Sequence, residues 1–418
     1  MIDLVEPTVK LAPQPGGKRH RFHAMVKPVG SLCNLDCTYC YYLHKAELLD
    51  QPRTPRMSDE MLEQHIRQYI EAQTGDEVVF SWQGGEPTLM GLEFFRNVVA
   101  LQARYKKPFQ TIQNDLQTNG TLLDAEWAAF LKQHNFLVGL SCDGPKRLHD
   151  LYRTYKGGQP THDKVMAAAR LLKNHGVPYN ALCVVNRENA KYPLDVYRFL
   201  TRELGVWRVQ LISCVEPKVF NSVAPQRWDA ATTPLVGTPQ ARPGSPDSVV
   251  TDWSVDPDDW GVFLCKVWDD WYERDYGKVH VDLFETAVAQ SMGMPAQRCI
   301  TGEFCGKGIA VEHNGDVYSC DHYVYPEYRI GNIRETHLGA MAYSGKQQTF
   351  GFAKRDALPG QCRECPHLNL CWGECPKNRL VRTPDGEPGL NYLCPGLKHF
   401  YAYIQHDMPE IVRRVSGK

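Results

Sequence analysis

The segment Cys33-Asn-Leu-Asp-Cys37-Thr-Tyr-Cys40 places three thiols within eight residues. Three thiolates this close can wrap one face of an iron–sulfur cube, whereas four would complete its protein coordination, so a fourth iron is left open. Structural zinc wants four ligands, and this loop offers no obvious fourth. A second field of thiols lies downstream at Cys299, Cys305, Cys320, Cys362, Cys365, Cys371, Cys375 and Cys394. Eight thiolates make two sets of four, enough for two fully coordinated 4Fe-4S clusters, and equally enough for two four-cysteine zinc sites. Between Cys305 and Cys320 the dipeptide Asn314-Gly315 separates two β-prone runs, which predicts a hairpin with both turn positions at positive φ. That hairpin delivers Cys320 and the neighbouring carboxylate Asp321 to one spot.

Such groups need a scaffold. From Arg21 to about Ser213, β-prone runs at His23–Lys27, Val78–Trp82, Ile112–Gln117, Phe136–Ser141, Tyr179–Val185 and Val206–Ser213 alternate with amphipathic stretches. One helix is expected after Ser58, with Asp59 and Glu60 in its first turn. Others are expected over Leu92–Tyr105, Ala125–Gln133, Lys164–Asn174 and Pro193–Glu203. Six strand–helix units imply a parallel sheet, and about 190 residues is too few for an eight-unit barrel, so a six-unit open barrel is expected. In such folds chemistry sits at the C-terminal ends of strands, where the first cysteine loop falls. Pro, Gly, Ser and Thr dominate from Pro234 to Val255, which reads as a loop or linker. A helix from Asp258 to Tyr276 with an apolar face follows.

The 418 residues suffice for two or three domains, and 47 Lys and Arg against 48 Asp and Glu give no electrostatic reason to expect nucleic acid or an anionic membrane. Met1 to His23 lacks the apolar stretch of a secretory signal, and no segment approaches a membrane span. A cytoplasmic protein is expected, where clustered thiols are metal ligands or redox groups rather than disulfides. Of the fifteen cysteines, Cys142, Cys183, Cys214 and Cys265 fall outside the clusters and read as buried structural thiols.

The CxxxCxxC loop after a first strand resembles that of the radical S-adenosylmethionine (SAM) superfamily, and Gly84-Gly85-Glu86-Pro87, Gln117-Thr118-Asn119-Gly120 and Ser141-Cys142-Asp143-Gly144 follow in family order. The resemblance implies that Gly84, Gly85 and Glu86 hold the amino end of SAM through backbone groups, that Ser141 and Arg153 meet its carboxylate, and that Tyr39 and Gln117 make neighbouring contacts. The downstream cysteines resemble a SPASM domain. By that resemblance Cys299, Cys305, Cys320 and Cys375 bind the nearer auxiliary cluster, and Cys362, Cys365, Cys371 and Cys394 the farther one. The implied fold class is α/β, a partial (β/α)6 radical SAM barrel followed by a small cysteine-rich SPASM domain with a β-hairpin and short helices. Its segments are 1–22 (extension), 23–233 (barrel), 234–256 (linker), 257–298 (connecting helix and strand), 299–400 (SPASM) and 401–418 (tail).

Over about Met25 to His406 the chain resembles the anaerobic sulfatase-maturating enzymes. The motifs Cys33–Tyr42, Trp82–Leu89, Leu116–Leu122, Phe136–Ser141, Leu182–Val185 and Cys320-Asp321 carry the likeness. It implies oxidation of a Cys or Ser in a Cys/Ser-x-Pro-x-Arg segment of an unfolded or nascent sulfatase to Cα-formylglycine. The implied cofactors are SAM and three 4Fe-4S clusters, one SAM-binding and two auxiliary, with a flavodoxin- or ferredoxin-type reductant. A deoxyadenosyl radical would remove a Cβ hydrogen, Asp321 would take the thiol or hydroxyl proton, and Tyr42 and Gln83 would line the substrate pocket beside Asp321. Two other readings fit some of these residues. One is a SPASM maturase forming a thioether or carbon–carbon crosslink, and the other is a non-catalytic electron-transfer or iron-sensing protein.

Overall fold

The computed structural model describes residues 21–227 and 232–415. The expected N-terminal extension, but for its last two residues, lies outside the described residues. The barrel strands form as expected, within one or two residues: β1 (His23–Lys27), β2 (Glu77–Trp82), β3 (Thr111–Thr118), β4 (Leu137–Ser141), β5 (Tyr179–Val185) and β6 (Arg208–Ser213). Each pairs in parallel with the next. Helices Asp59–Ala72, Leu92–Tyr105, Ala125–Gln133 and His162–Asn174 cover the sheet. Ser58 caps the first, accepting from Met61 N at 3.2 Å, and Asp124 caps the third, accepting from Trp127 N at 2.9 Å. The expected helix over Pro193–Glu203 is α-helical only to Arg198 and finishes in a π turn, Phe199–Glu203. That over Asp258–Tyr276 is α-helical over Pro257–Asp270 and then π-helical to Asp275.

The sheet does not stop at the barrel. β7 (His280–Val281) joins β6, while β8 (Gly308–Glu312), β9 (Asp316–Tyr318) and β10 (Arg329–Asn332) extend the other edge in the order β10-β9-β8-β1. β8 runs parallel to β1 with His23 opposite Gly308 and Lys27 opposite Glu312. The cysteine-rich domain is therefore continuous with the barrel sheet, and its first strand is a barrel neighbour. The β8–β9 hairpin is present, but of its turn residues only Gly315 has positive φ (87°). Glu312 O accepts from Gly315 N at 2.9 Å, so the connection is His313-Asn314-Gly315, a type I turn closed by a left-handed glycine rather than a two-residue Asn-Gly turn.

Residues 234–256 are largely irregular and lie packed on the chain: Leu235 bridges Arg382, and Val250 bridges Pro217. The C-terminal tail is structured, with helices Cys394–Ile404 and Met408–Val415. Gly396 lies against Gly261 and Pro257 with no room for a side chain, and Trp268 Nε1 donates to Asp407 at 2.8 Å. One apolar core spans both parts of the chain. Among the described residues no helix is long and apolar enough to cross a membrane.

Candidate active site

The loop after β1 is held from three sides. Gly85 N and Glu86 N donate to Gly30 O and Leu32 O, both at 2.9 Å, while Asp36 N and Thr38 N donate to Thr154 O and Tyr152 O at 2.9 and 3.0 Å. From β3, Asn119 Nδ2 reaches Asn34 Oδ1 at 2.9 Å and the Cys33 sulfur at 3.9 Å. Cys33, Cys37 and Cys40 are free thiols within electrostatic reach of one another. Burial pushes the Cys33 and Cys37 thiols up to about 12, so a thiolate here needs a positive centre beside it. Iron provides that centre, and the Leu35 N–H at 3.4 Å from the Cys33 sulfur is a donor of the kind that stabilises a cluster ligand. The donor set fits a 4Fe-4S cluster with one iron left for SAM.

The glycines of Gly84-Gly85-Glu86-Pro87 have a packing reason. Gly84 has φ 125°, and a methyl on Gly85 would sit 1.9 Å from Leu32 O. The Glu86 carboxylate is spent on the protein: Oε1 accepts from Thr88 N, Thr88 Oγ1 and Thr118 Oγ1 at 3.1, 2.6 and 2.7 Å, and Oε2 from Asn119 N at 2.8 Å. Glu86 thus ties β2, β3 and the cysteine loop together. Gly85→Ala must push the two loops apart. Because a displacement of ~1 Å can cost roughly 10²-fold, deoxyadenosine formation is expected to fall by about that factor, and a chromatographic assay with SAM and dithionite checks it.

On the opposite side Arg153 Nη1 donates to Tyr39 Oη at 2.8 Å, and Tyr39 Oη donates to the buried Asp143. Asp143 Oδ1 also accepts from Val184 N at 3.0 Å. Arg153 Nε is buried without a partner and available to an anion. Its charge is felt at Cys37. Ser141 is buried at the end of β4, and Gln117 is exposed although β3 is a central strand. Tyr39 and Arg153 are thus joined at the cysteine loop, while Ser141 and Gln117 stand at or near the C-terminal ends of β4 and β3.

Asp321 follows the hairpin and is buried. It ion-pairs with Lys27 of β1 and accepts from Tyr41 Oη at 2.5 Å. Burial pushes its carboxyl up, but Lys27, His322 and the Tyr41 hydroxyl outweigh that and hold it below the usual value of 3.8. The tyrosine on Asp321 is thus Tyr41 and not Tyr42, whose hydroxyl donates to Glu312 on β8. Adjacent residues on this loop point apart, one to the carboxylate after the hairpin and one to the strand before it. Tyr42 keeps a supporting part, its ring lying 4.5 Å from Lys27 Nζ. Gln83 N donates to Val26 O at 2.9 Å, one position past the Val26–Trp82 pair, which sets Gln83 beside Lys27. A narrow cavity next to Asp321 is lined by Tyr41, His322, Glu216, Phe220, Tyr325 and Lys377. Sequence reasoning missed Lys27, Tyr41 and Asp143. A lysine in the same alternation as His23 and Met25 on an otherwise apolar strand was the available signal for the first.

The downstream thiols fall into two groups. Cys320 is within electrostatic reach of Cys299 and Cys375, and Cys305 of Cys299. Cys371 is within electrostatic reach of Cys394 and Cys362, and Cys394 of Cys362 and Cys365. Cys142, Cys183, Cys214 and Cys265 are buried in the packed body.

An open parallel barrel with a three-thiol loop at its first strand, joined to a domain carrying two four-thiol groups, defines a radical SAM enzyme with auxiliary iron–sulfur centres. Residues 28–200 match the Radical SAM superfamily, and residues 299–366 match SPASM, an iron-sulfur cluster-binding domain. The chain is 45% identical to a serine-type anaerobic sulfatase-maturating enzyme of Bacteroides thetaiotaomicron, over 93% of this chain and 89% of that protein. It is 33% identical to a cysteine-type enzyme of Clostridium perfringens, over 91% and 95%. The solved structure described as native anSMEcpe with bound AdoMet and Cp18Cys peptide superposes with a TM-score of 0.79 at 32% identity, covering 94% of this chain and 99% of that one. The chain belongs to the anaerobic sulfatase-maturating enzymes, with SAM and 4Fe-4S clusters as cofactors.

Proposed function

We propose that this enzyme oxidises a Cys or Ser side chain in a Cys/Ser-x-Pro-x-Arg segment of a sulfatase polypeptide to Cα-formylglycine, with Asp321 as the base. When bound, SAM and the clusters supply a radical that removes one Cβ hydrogen and an acceptor for the remaining electron. Cys33, Cys37 and Cys40 hold the SAM-binding cluster in this reading. Cys299, Cys305, Cys320 and Cys375 hold one auxiliary cluster, and Cys362, Cys365, Cys371 and Cys394 the other. The backbone of Gly84 to Glu86 meets the amino end of SAM, and Arg153 and Ser141, with Tyr39 and Gln117 beside them, orient its other end. Gln83, Tyr41 and Tyr42 line the peptide side.

Asp321 takes the thiol or hydroxyl proton on a carboxylate oxygen. Lys27 and the Tyr41 hydroxyl keep that carboxylate ionised before the step and aim it. A buried carboxylate paired with Lys27 and Tyr41, one residue from Cys320, is the observation that carries the proposal. A flavodoxin- or ferredoxin-type donor supplies the starting electron, in a reducing, low-oxygen cytoplasm.

The test is mass spectrometry of a Cys-x-Pro-x-Arg peptide after anaerobic incubation with enzyme, SAM and reductant. From Cys, loss of two hydrogens gives a thioaldehyde, which takes up water and releases hydrogen sulfide, so formylglycine formation exchanges sulfur for oxygen with net loss of two hydrogens. A product that loses two hydrogens and keeps its sulfur would instead mark a crosslinking maturase and overturn the proposal.

A further inference from the structure

Arg379 is 5% exposed and has no acidic partner among the described residues. Its Nη2 donates to Lys354 O at 2.5 Å, while Nε and Nη1 are buried without any acceptor. Glu374 makes no ion pair with Arg379, its Oε2 accepting instead from Asn378 and Asn391 at 3.0 and 2.8 Å. A buried guanidinium with two idle nitrogens is costly unless an anion meets it. The guanidinium lies against Gly373, between Cys371 of one thiol group and Cys375 of the other, and a methyl there would sit 3.0 Å from Nη2. Its charge is felt first by the buried Tyr323 hydroxyl, then by Cys362 of one thiol group and by Cys375 and Cys305 of the other. Lys354, also fully buried, is occupied: its Nζ donates to the carbonyls of Cys299, Ile300 and Gly302 at 2.6, 2.8 and 2.5 Å.

We infer that Arg379 is a positioning residue set between the two auxiliary clusters, donating N–H···S hydrogen bonds from Nε and Nη1 and raising the reduction potential of both. Four thiolates leave a 4Fe-4S cluster net anionic, and more so when reduced. A fixed cation and N–H donors therefore favour the reduced form. A single cation between two clusters favours an electron on either one and eases its passage between them. The inference rests on the division of the eight thiols into two cluster sites, and not on which peptide is oxidised.

Iron and sulfide analysis of the wild-type enzyme tests that division first, by itself. Potentiometric titration followed by electron paramagnetic resonance then compares wild type with Arg379→Gln and Arg379→Lys at matched iron content. For Arg379→Gln the reduction equilibrium of both auxiliary clusters should shift at least tenfold toward the oxidised form, ~59 mV for one electron. Arg379→Lys, which keeps the charge and loses the fork, should fall between. Unchanged potentials, or a shift confined to one cluster, would overturn the inference. Should the glutamine variant lose iron, pulsed resonance on wild-type enzyme grown with guanidino-15N arginine decides. A labelled-nitrogen coupling at both reduced auxiliary clusters supports the inference, and its absence at either overturns it.

Discussion

Replacing Asp321 by asparagine is expected to lower formylglycine formation by roughly 10²- to 10⁴-fold, the ordinary contribution of a positioned general base. Asparagine keeps the shape and can still accept from Tyr41, but it cannot take a proton. It also leaves Lys27 buried without its counter-charge, so a lower melting temperature should accompany the loss. Deoxyadenosine release in the same samples separates the two effects. Tyr39, Asp143 and Arg153, proposed to stand on the SAM side, form a hydrogen-bonded group of their own that does not include Asp321. Deoxyadenosine should therefore still appear while peptide oxidation stops, and full formylglycine yield would remove Asp321 from the base role.

The same carboxylate fixes the sign of the pH dependence. Its folded-state pKa is depressed below 3.8, so its pairing with Lys27 and Tyr41 contributes stability fully above the unfolded value. That contribution is lost only as pH falls through the folded value. The acid limb of kcat/KM should therefore lie below the ordinary carboxylate range, and raising the pH from neutrality should not activate the base further.

How the site became legible differs from group to group. The barrel strands follow from local periodicity and the three-thiol loop from its spacing, because each thiol of Cys33, Cys37 and Cys40 lies close to its neighbours in sequence, whereas the SAM-side motifs are legible only through the family resemblance. The environment of Asp321 does not follow in that way. It depends on β8 pairing in parallel with β1, which brings together residues as distant as Tyr42 and Glu312, 270 apart in the chain. Parallel pairing leaves no hairpin signature at the turn, and β8 carries the same apolar pattern that an antiparallel partner would need. Without that register Lys27 looks like a strand-end solvent lysine. The choice between Tyr41 and Tyr42 is hidden for a related reason: both follow the last cysteine, and only the position of Glu312 opposite Lys27 decides which hydroxyl is left for Asp321. Arg379 is hidden more completely, since nothing in Pro376-Lys-Asn-Arg379 distinguishes a buried guanidinium from a surface one.

Replacing Cys33, Cys37 and Cys40 together by alanine is expected to abolish SAM cleavage altogether, a larger effect than any single substitution at the peptide side. The open iron is the only place where SAM can be chelated and reduced in this reading, and three thiolates are its whole protein coordination. The fold around the loop should survive. The main-chain bonds that hold it run from Gly85, Glu86, Asp36 and Thr38 and persist without the thiols, whereas the contacts of Asn119 Nδ2 and Leu35 N with the Cys33 sulfur would be lost. Iron content should accordingly fall from three clusters to two, with the auxiliary signals intact and little change in the melting temperature of the barrel. Removing the eight downstream thiols would instead disturb the packing of the hairpin and so the position of Asp321. Deoxyadenosine release from the triple variant would place SAM cleavage elsewhere in the molecule, and an unchanged iron content would show that these thiols hold no cluster.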